Sequence, residues 1–306
     1  MRAHATAFAP GSVGNVGPGL DILGLAIAGA GDEVTISWCD GTAIVVTDAG
    51  HPDLPTDPTL NTAAIAAQAV FTRVGVRRGA QLIVRKGLPL SGGQGGSAAS
   101  AVAGAVAADF LVAAGLDSDE LLACALEAES RVAGRHADNL APALLGGLVL
   151  VRSLDPVDLI RIPVPDRLRV VLAHPEQELR TRDARAVLPT EVSRATALQQ
   201  AANVAAMVAA ACLGDLAMLG RALDDQIAEP ARAPLLPGFL AAKAAALTAG
   251  ALGCSISGAG PTAFALVDGD ATGARVAAAM TAAYAAAGLR ATARVAIIDR
   301  AGARVW

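Results

Sequence analysis

Short apolar runs alternate with longer alanine-rich stretches through the first half of the chain. Glu33 to Ser37, Ala43 to Thr47 and Gln81 to Arg85 are short, partly β-branched and bounded by Gly, Asp or Pro, a pattern that predicts strands. Leu60 to Val74 and Ser97 to Gly115 are longer and rich in alanine, and predict helices. A third helix is predicted over Ser118 to Val132, with Ser118 as its N-cap and Asp119 and Glu120 at the positive end of its dipole. On it Leu122, Leu126 and Glu129 share one face. A carboxylate in an apolar stripe is an anomaly, whereas Glu127 falls elsewhere on the wheel and is expected in solvent.

Between Asp155 and Pro175 four prolines interrupt helical patterning and mark a linker or edge strands, so a domain boundary is expected near Pro156, giving units 1–155 and 156–306. Beyond it the pattern predicts a strand over Arg169 to Ala173 and then an Arg-rich loop. Helices follow over Ala195 to Leu213, Leu216 to Ile227 and Phe239 to Ala249. Strand character returns over Ser255 to Val267, followed by a helix over Ala271 to Ala287 and a last strand over Ala293 to Ile298. No fixed-period repeat is present.

At 306 residues the chain has room for one large or two mid-sized domains. Its hydrophobic fraction of 54% overstates the burial, because aromatics are only 3% and alanine supplies much of the count. The net charge of −4 and scarce aromatics argue against a nucleic-acid surface. Four cysteines (Cys39, Cys124, Cys212, Cys254) are far apart with no C-x-x-C pair, which argues against a zinc knuckle and predicts buried thiols in a reducing compartment. Met1 to Pro10 has no apolar core of a signal peptide. The windows around Ala98 to Gly115 and Ala201 to Leu213 are interrupted by Asp109 or too short to span a bilayer. The expectation is a soluble cytoplasmic protein with no membrane partner.

The strongest local signal is the glycine-rich run Gly87-Leu88-Pro89-Leu90-Ser91-Gly92-Gly93-Gln94-Gly95-Gly96-Ser97-Ala98-Ala99, between a predicted strand and a long helix. Glycines admit a ligand close to the backbone, and the following helix start offers free N–H groups and partial positive charge, which suits phosphate. A plain strand-to-helix turn is the alternative. No Gly-Lys-Ser/Thr ends the run, no acidic residue follows as in a dinucleotide fold, and the protein-kinase segments H-R-D and D-F-G are absent. A phosphate here must be held without a P-loop lysine.

Two further segments join it. Pro10 to Leu25 reads P-G-S-V-G-N-V-G-P-G-L-D-I-L-G-L and Ile256 to Phe264 reads I-S-G-A-G-P-T-A-F. With P-L-S-G-G-Q-G-G-S-A-A-S they resemble, in order, the three motifs of the GHMP small-molecule kinases. The run Gly134 to Ala143, G-R-H-A-D-N-L-A-P-A, resembles the H-x-D-N-x-A-P segment of the homoserine kinases within that superfamily. Thr181-Arg182-Asp183-Ala184-Arg185 before Leu188-Pro189, and Glu229-Pro230-Ala231-Arg232-Ala233-Pro234 before Pro237-Gly238, match in register.

The resemblance implies a two-domain α+β GHMP kinase fold with the active site in the interdomain cleft, ATP and L-homoserine as ligands, and Mg²⁺ as cofactor. It leaves a homodimer open. It puts the acceptor carboxylate on Arg185 and Arg232, whose planar guanidinium groups suit a carboxylate. Asn15, Asp21, His136 and Asp138 would line the rest of the homoserine pocket. Ser97 and Glu129 would hold the metal, hard oxygen ligands being what magnesium prefers. The nucleotide would lie along Pro89, Gly92, Gly93, Gln94, Gly95, Gly96, Ser97 and Ala98, with Asn61 near the adenine. Where mevalonate-type relatives carry an aspartate base this chain has Asn139, so no strong general base is expected, and Thr181 would stand beside the attacking hydroxyl.

The chain departs from the usual loop G-L-G-S-S-A-A, since Gln94 replaces its leucine and Gly96 its first serine. One hydroxyl near the phosphates is lost, and Ser97 survives. The implied activity is transfer of the ATP γ-phosphoryl to homoserine. The alternatives are a GHMP kinase for another small hydroxylated acceptor and a nucleotide-binding sensor without turnover.

Overall fold

The computed structural model describes residues 2–132 and 134–306. In chain order the first elements are β1 (His4–Gly14), β2 (Leu23–Trp38), β3 (Ile44–Asp48), α1 (Thr62–Arg73), β4 (Ala80–Arg85), α2 (Gly96–Val112) and α3 (Ser118–Val132). Next come α4 (Leu140–Leu145), β5 (Leu148–Leu154), β6 (Val157–Ile162), β7 (Leu168–Pro175), α5 (Thr181–Ala186), α6 (Arg194–Leu213) and α7 (Leu216–Ala222). The chain ends with α8 (Ala228–Arg232), α9 (Phe239–Thr248), β8 (Gly253–Ile256), β9 (Ala263–Asp268), α10 (Gly269–Ala286), β10 (Ala291–Ala296) and β11 (Arg304–Val305).

β1 lies outside the predicted strands. Its alanine, glycine and proline residues have weak strand propensity, and pairing with β2 decides its conformation, from His4 opposite Ser37 to Gly14 opposite Gly24. The larger sheet runs β11-β1-β2-β4-β3, with β5 also on β2 and β6 on β5; the smaller runs β10-β7-β9-β8. Pro156 therefore falls in the turn of the β5–β6 hairpin. The chain leaves the larger sheet only after Ile162, and β11 returns to it.

Three local readings are corrected. α3 is capped by Asp117, not Ser118: the Asp117 carboxylate accepts from the Glu120 N–H at 2.9 Å and the Glu120 carboxylate from the Asp117 N–H at 3.1 Å, a reciprocal capping box. The helix predicted to run to Ile227 stops at Ala222, because the Asp225 carboxylate takes the N–H groups of Ile227, Ala228 and Glu229 and starts α8 instead. Of the four thiols only Cys124 and Cys254 are buried, while Cys212 is exposed on α6 and Cys39 half-buried.

Packing divides into three cores. One lies between the larger sheet and α1 to α4, where small side chains such as Ala63, Ala66, Ala101 and Ala105 let the helices come close. A second core joins the two units, bringing Val13, Leu23 and Leu25 together with Leu168, Val170 and Leu172 of β7, and with Met207 and Phe264. The third covers the other face of the smaller sheet with α9 and α10. α6, at 20 residues, begins earlier than the apolar window Ala201 to Leu213 and matches a bilayer span in length and composition. Its buried face nevertheless carries Gln200 and Asn203, which donate to Asp225 and to the Asp224 carbonyl.

Candidate active site

α2 starts directly from the glycine-rich loop. Gly95 precedes its first turn at φ 70°, and no side chain among the described residues caps the helix, so its leading N–H groups are left free where Gly95, Gly96 and Ser97 border the cleft. A Cβ on Gly95 would lie 2.2 Å from Ser12 Oγ, so backbone conformation and packing both demand glycine there. The resulting cleft, about 650 Å³, is bordered by the loop, Asn61, Lys86, Ser97, Glu129, His136, Asp138, Asn139, Thr181, Arg185 and Arg232.

Ser97, in the first turn of α2, donates from Oγ to Glu129 Oε2 at 3.2 Å. The anomalous carboxylate of α3 is indeed inward, only 8% exposed, and burial pushes its pKa up to about 7 despite the Ser97 hydrogen bond.

Asp138 and Asn139 lie against β1. A side chain on Gly14 would collide with both, its Cβ 2.5 Å from Asp138 Oδ2 and Asn139 Nδ2. Asn139 accepts from Ser12 Oγ at 2.9 Å and donates to Asp138 Oδ2 at 3.2 Å. Asp138 Oδ2 also accepts from the Asn15 backbone N–H at 3.1 Å; burial raises this carboxyl to about 7.

Asn15 borders the cleft, but both ends of its amide serve the protein. At φ 68° its Oδ1 accepts from the Asp21 N–H, and Nδ2 donates to the Gly258 carbonyl in the third motif. Asp21 stands outside the residues bordering the cleft and reaches it through two partners, Arg185 in a bidentate pair and His136 Nδ1 at 3.3 Å. Burial lowers the His136 pKa. Arg232, 2% exposed, donates to the carbonyls of Gly258 and Ala184.

The third motif clasps the glycine-rich loop. Ser257 Oγ donates to the Gly93 carbonyl at 2.6 Å, Thr262 Oγ1 to the Gly92 carbonyl, and the Gly258 N–H to the Gly14 carbonyl at 3.1 Å. All three motifs thus meet at one place. Pro89, Gly92, Gly93, Gly95 and Gly96 border the cleft, whereas Gln94 and Ala98 do not. Gln94 turns toward the smaller sheet, donating to Thr262 Oγ1 and accepting from Arg294, and Ala98 is a buried residue of α2 itself. Asn61 is on the wall as the cap of α1: its Oδ1 accepts from the N–H groups of Ala63 and Ala64, and Nδ2 donates to the Pro55 carbonyl. Thr181 opens α5 and also borders the cleft.

Sequence reasoning missed Lys86. Its Nζ pairs with Asp32, which is fully buried, and donates to the Gly96 carbonyl and to Ser100 Oγ, both at 3.0 Å. Asp32 also accepts from Ser100 Oγ and the Gly87 N–H. The available signal was position: one of only two lysines in the chain stands directly before the glycine-rich run.

Comparison with known proteins agrees with this geometry. The family model for the GHMP kinases N terminal domain matches residues 61–147, and that for the GHMP kinases C terminal matches 207–286. A homoserine kinase of Chlorobium phaeovibrioides is 44% identical, covering 97% of this chain and 98% of its own. One from Arabidopsis thaliana is 46% identical over 97% of this chain and 83% of its own. The crystal structure of homoserine kinase from Cytophaga hutchinsonii superposes with a TM-score of 0.95 at 39% identity, covering 100% of this chain and 98% of that one. Likeness of this extent, carried by both family domains in order and by a cleft where their motifs converge, means that the chain belongs to the homoserine kinases of the GHMP kinase family.

Proposed function

We propose that the cleft moves the γ-phosphoryl group of ATP to the side-chain hydroxyl of L-homoserine, giving O-phospho-L-homoserine and ADP for threonine synthesis. The bond from phosphorus to the β,γ-bridging oxygen breaks and leaves its electron pair on ADP. The bond from phosphorus to the homoserine oxygen forms, and the hydroxyl proton passes to an oxygen of the phosphoryl group. Catalysis of this kind depends on positioning and charge neutralisation more than on a base. The amide of Asn139 is consistent with that, and Thr181 serves as a hydrogen-bond partner for the attacking hydroxyl.

One observation carries the reading: Arg185 and Arg232 face the same cleft as the Ser97–Glu129 pair. The arginines take the amino-acid carboxylate, and Asp138 takes the ammonium or hydroxyl. The free N–H groups at the start of α2 take the phosphates.

Ser97 and Glu129 fit Mg²⁺. A buried carboxylate whose close partner is a neutral hydroxyl, and whose pKa is raised to about 7, is a site short of a cation. No group of three or more His, Cys, Asp or Glu able to hold a metal exists among the described residues, so the remaining ligands would be water and phosphate oxygens. Bound there, the ion would neutralise phosphate charge. The four free thiols suit a cytoplasmic location.

The test is ADP release over a panel of homoserine, serine, other hydroxy amino acids, mevalonate and the decarboxylated amino alcohol. Homoserine should stand out. Equal turnover of homoserine and the amino alcohol would favour a GHMP kinase for another acceptor, and ATP binding without turnover of any acceptor would favour the sensor.

A further inference from the structure

A triphosphate brings several negative charges into a cleft whose cations are mostly committed. Lys86 is matched by Asp32, while Arg185, paired with Asp21, and Arg232, bonded to two backbone carbonyls, are the arginines assigned above to the acceptor carboxylate. Gly96, in place of the family's serine, removes a further donor. Two cations on the wall remain. Among the described residues the Arg180 side chain makes no hydrogen bond or ion pair, and Arg182 has only an exposed contact with Asp183 at 3.4 Å.

These two arginines flank Thr181 on a segment pinned at both ends. Leu179 and Ala184 are buried in the core behind the smaller sheet, Gln177 donates to the Leu235 carbonyl at 2.8 Å, and the Ala184 carbonyl accepts from Arg232. The backbone is thus fixed while Arg180 and Arg182 stay exposed along the cleft that the start of α2 also borders.

We propose that Arg180 and Arg182 contact the β- and γ-phosphates of the nucleotide, supplying from the C-terminal unit the charge that a P-loop lysine supplies in other folds. This rests on the kinase reading above. A guanidinium presents paired donors to a phosphate, and a cation reaching in from that unit neutralises the charge that spreads over the transferred group. Both side chains are exposed, so replacing them leaves the core intact.

The experiment measures binding of AMP, ADP and ATP with magnesium, without acceptor, to wild type, Arg180→Gln, Arg182→Gln, the double Gln variant and the double Lys variant. The expected result is a loss that grows with phosphate number. AMP should change by less than about twofold, and ATP should weaken by about tenfold or more in the double Gln variant, with a good part restored by Lys. The homoserine KM should stay within about twofold. An equal loss across AMP, ADP and ATP, or no loss, would overturn the proposal, as would a rise confined to the homoserine KM. Because the nucleotide-binding arm contains no acceptor, that arm still decides the matter if another acceptor replaces homoserine. A wild type that bound no nucleotide would sink the kinase reading and this proposal together.

Discussion

The two carboxylate oxygens of Asp21 accept from Nη2 and Nη1 of Arg185 at 2.8 and 3.2 Å, joining the first motif to a helix 164 residues away. The arginine expected to hold the substrate carboxylate is therefore already oriented by the protein. Its guanidinium presents one edge to Asp21 and can offer other donors to a ligand. Asp21→Asn keeps the shape but weakens this hold, so Arg185 must be ordered at substrate's expense. The homoserine KM should rise about tenfold with the ATP KM unchanged. An unchanged homoserine KM would mean that Asp21 orients nothing the acceptor uses.

Glu129→Gln removes the charge from the Ser97 pair while preserving volume. Because burial, with the Asp138 charge adding to it, raises the Glu129 pKa to about 7, the neutral amide should fold at least as stably at neutral pH. Turnover should fall about a hundredfold, with the loss only partly recovered at high magnesium. Wild-type turnover across a magnesium titration would rule out the metal assignment.

Glu129 shows what the sequence could reveal. Its place on an apolar stripe of a regular helix was legible from 3.6-residue spacing, because the helix is long and its neighbours are leucines. The three motifs were legible because each is a compact run of glycines and small polar residues. Other site features depend on contacts between distant segments. Asn15 borders the cleft where the resemblance expects an acceptor ligand, and its amide also clasps the first motif to the third, which no local pattern shows. Gln94 belongs to the phosphate loop in sequence, and its side chain reaches Thr262 and Arg294. The partner of Lys86 is Asp32, 54 residues earlier, and no local pattern announces such a pair. Likewise the helix predicted to reach Ile227 ends at Ala222 because Asp225 caps α8.

The Lys86–Asp32 pair gives a double-mutant test. Lys86→Met leaves a fully buried carboxylate without its cation, a defect that typically costs about 3–5 kcal/mol. Lys86→Met with Asp32→Asn removes both charges and should recover most of that stability in denaturant unfolding. If the double variant were as unstable as the single one, packing of the lysine stem rather than charge pairing would explain the effect.

Asp138 predicts a pH dependence of the ligand-free protein. Its folded pKa is raised from 3.8 to about 7, mainly by burial, with the Asp21 charge adding and Arg185 opposing. Between these values the folded state binds more protons than the unfolded one, so stability contributed by this group is fully present below about pH 4 and is lost as pH rises through about 7. Asp138→Asn should flatten the fall in Tm over that window. Glu129, shifted in the same sense, leaves a residual slope. A variant with the full wild-type slope would place the titration elsewhere.

Gly96 tests the departure from the family loop. A Cβ there would lie 3.4 Å from Lys86 Nζ, an ordinary contact with the end of a flexible side chain, and the residue is already in helical conformation. Gly96→Ser should fit without strain and restore a hydroxyl beside the phosphates. One added hydrogen bond to a charged group corresponds to about 1.5 kcal/mol, so the ATP KM should fall about tenfold, with the homoserine KM and Tm nearly constant. The neighbouring Gly95→Ser should instead abolish ATP binding, because it forces a side chain onto a backbone at φ 70° and into Ser12. An ATP KM unmoved by Gly96→Ser would show that the missing hydroxyl contributes nothing to phosphate binding in this cleft.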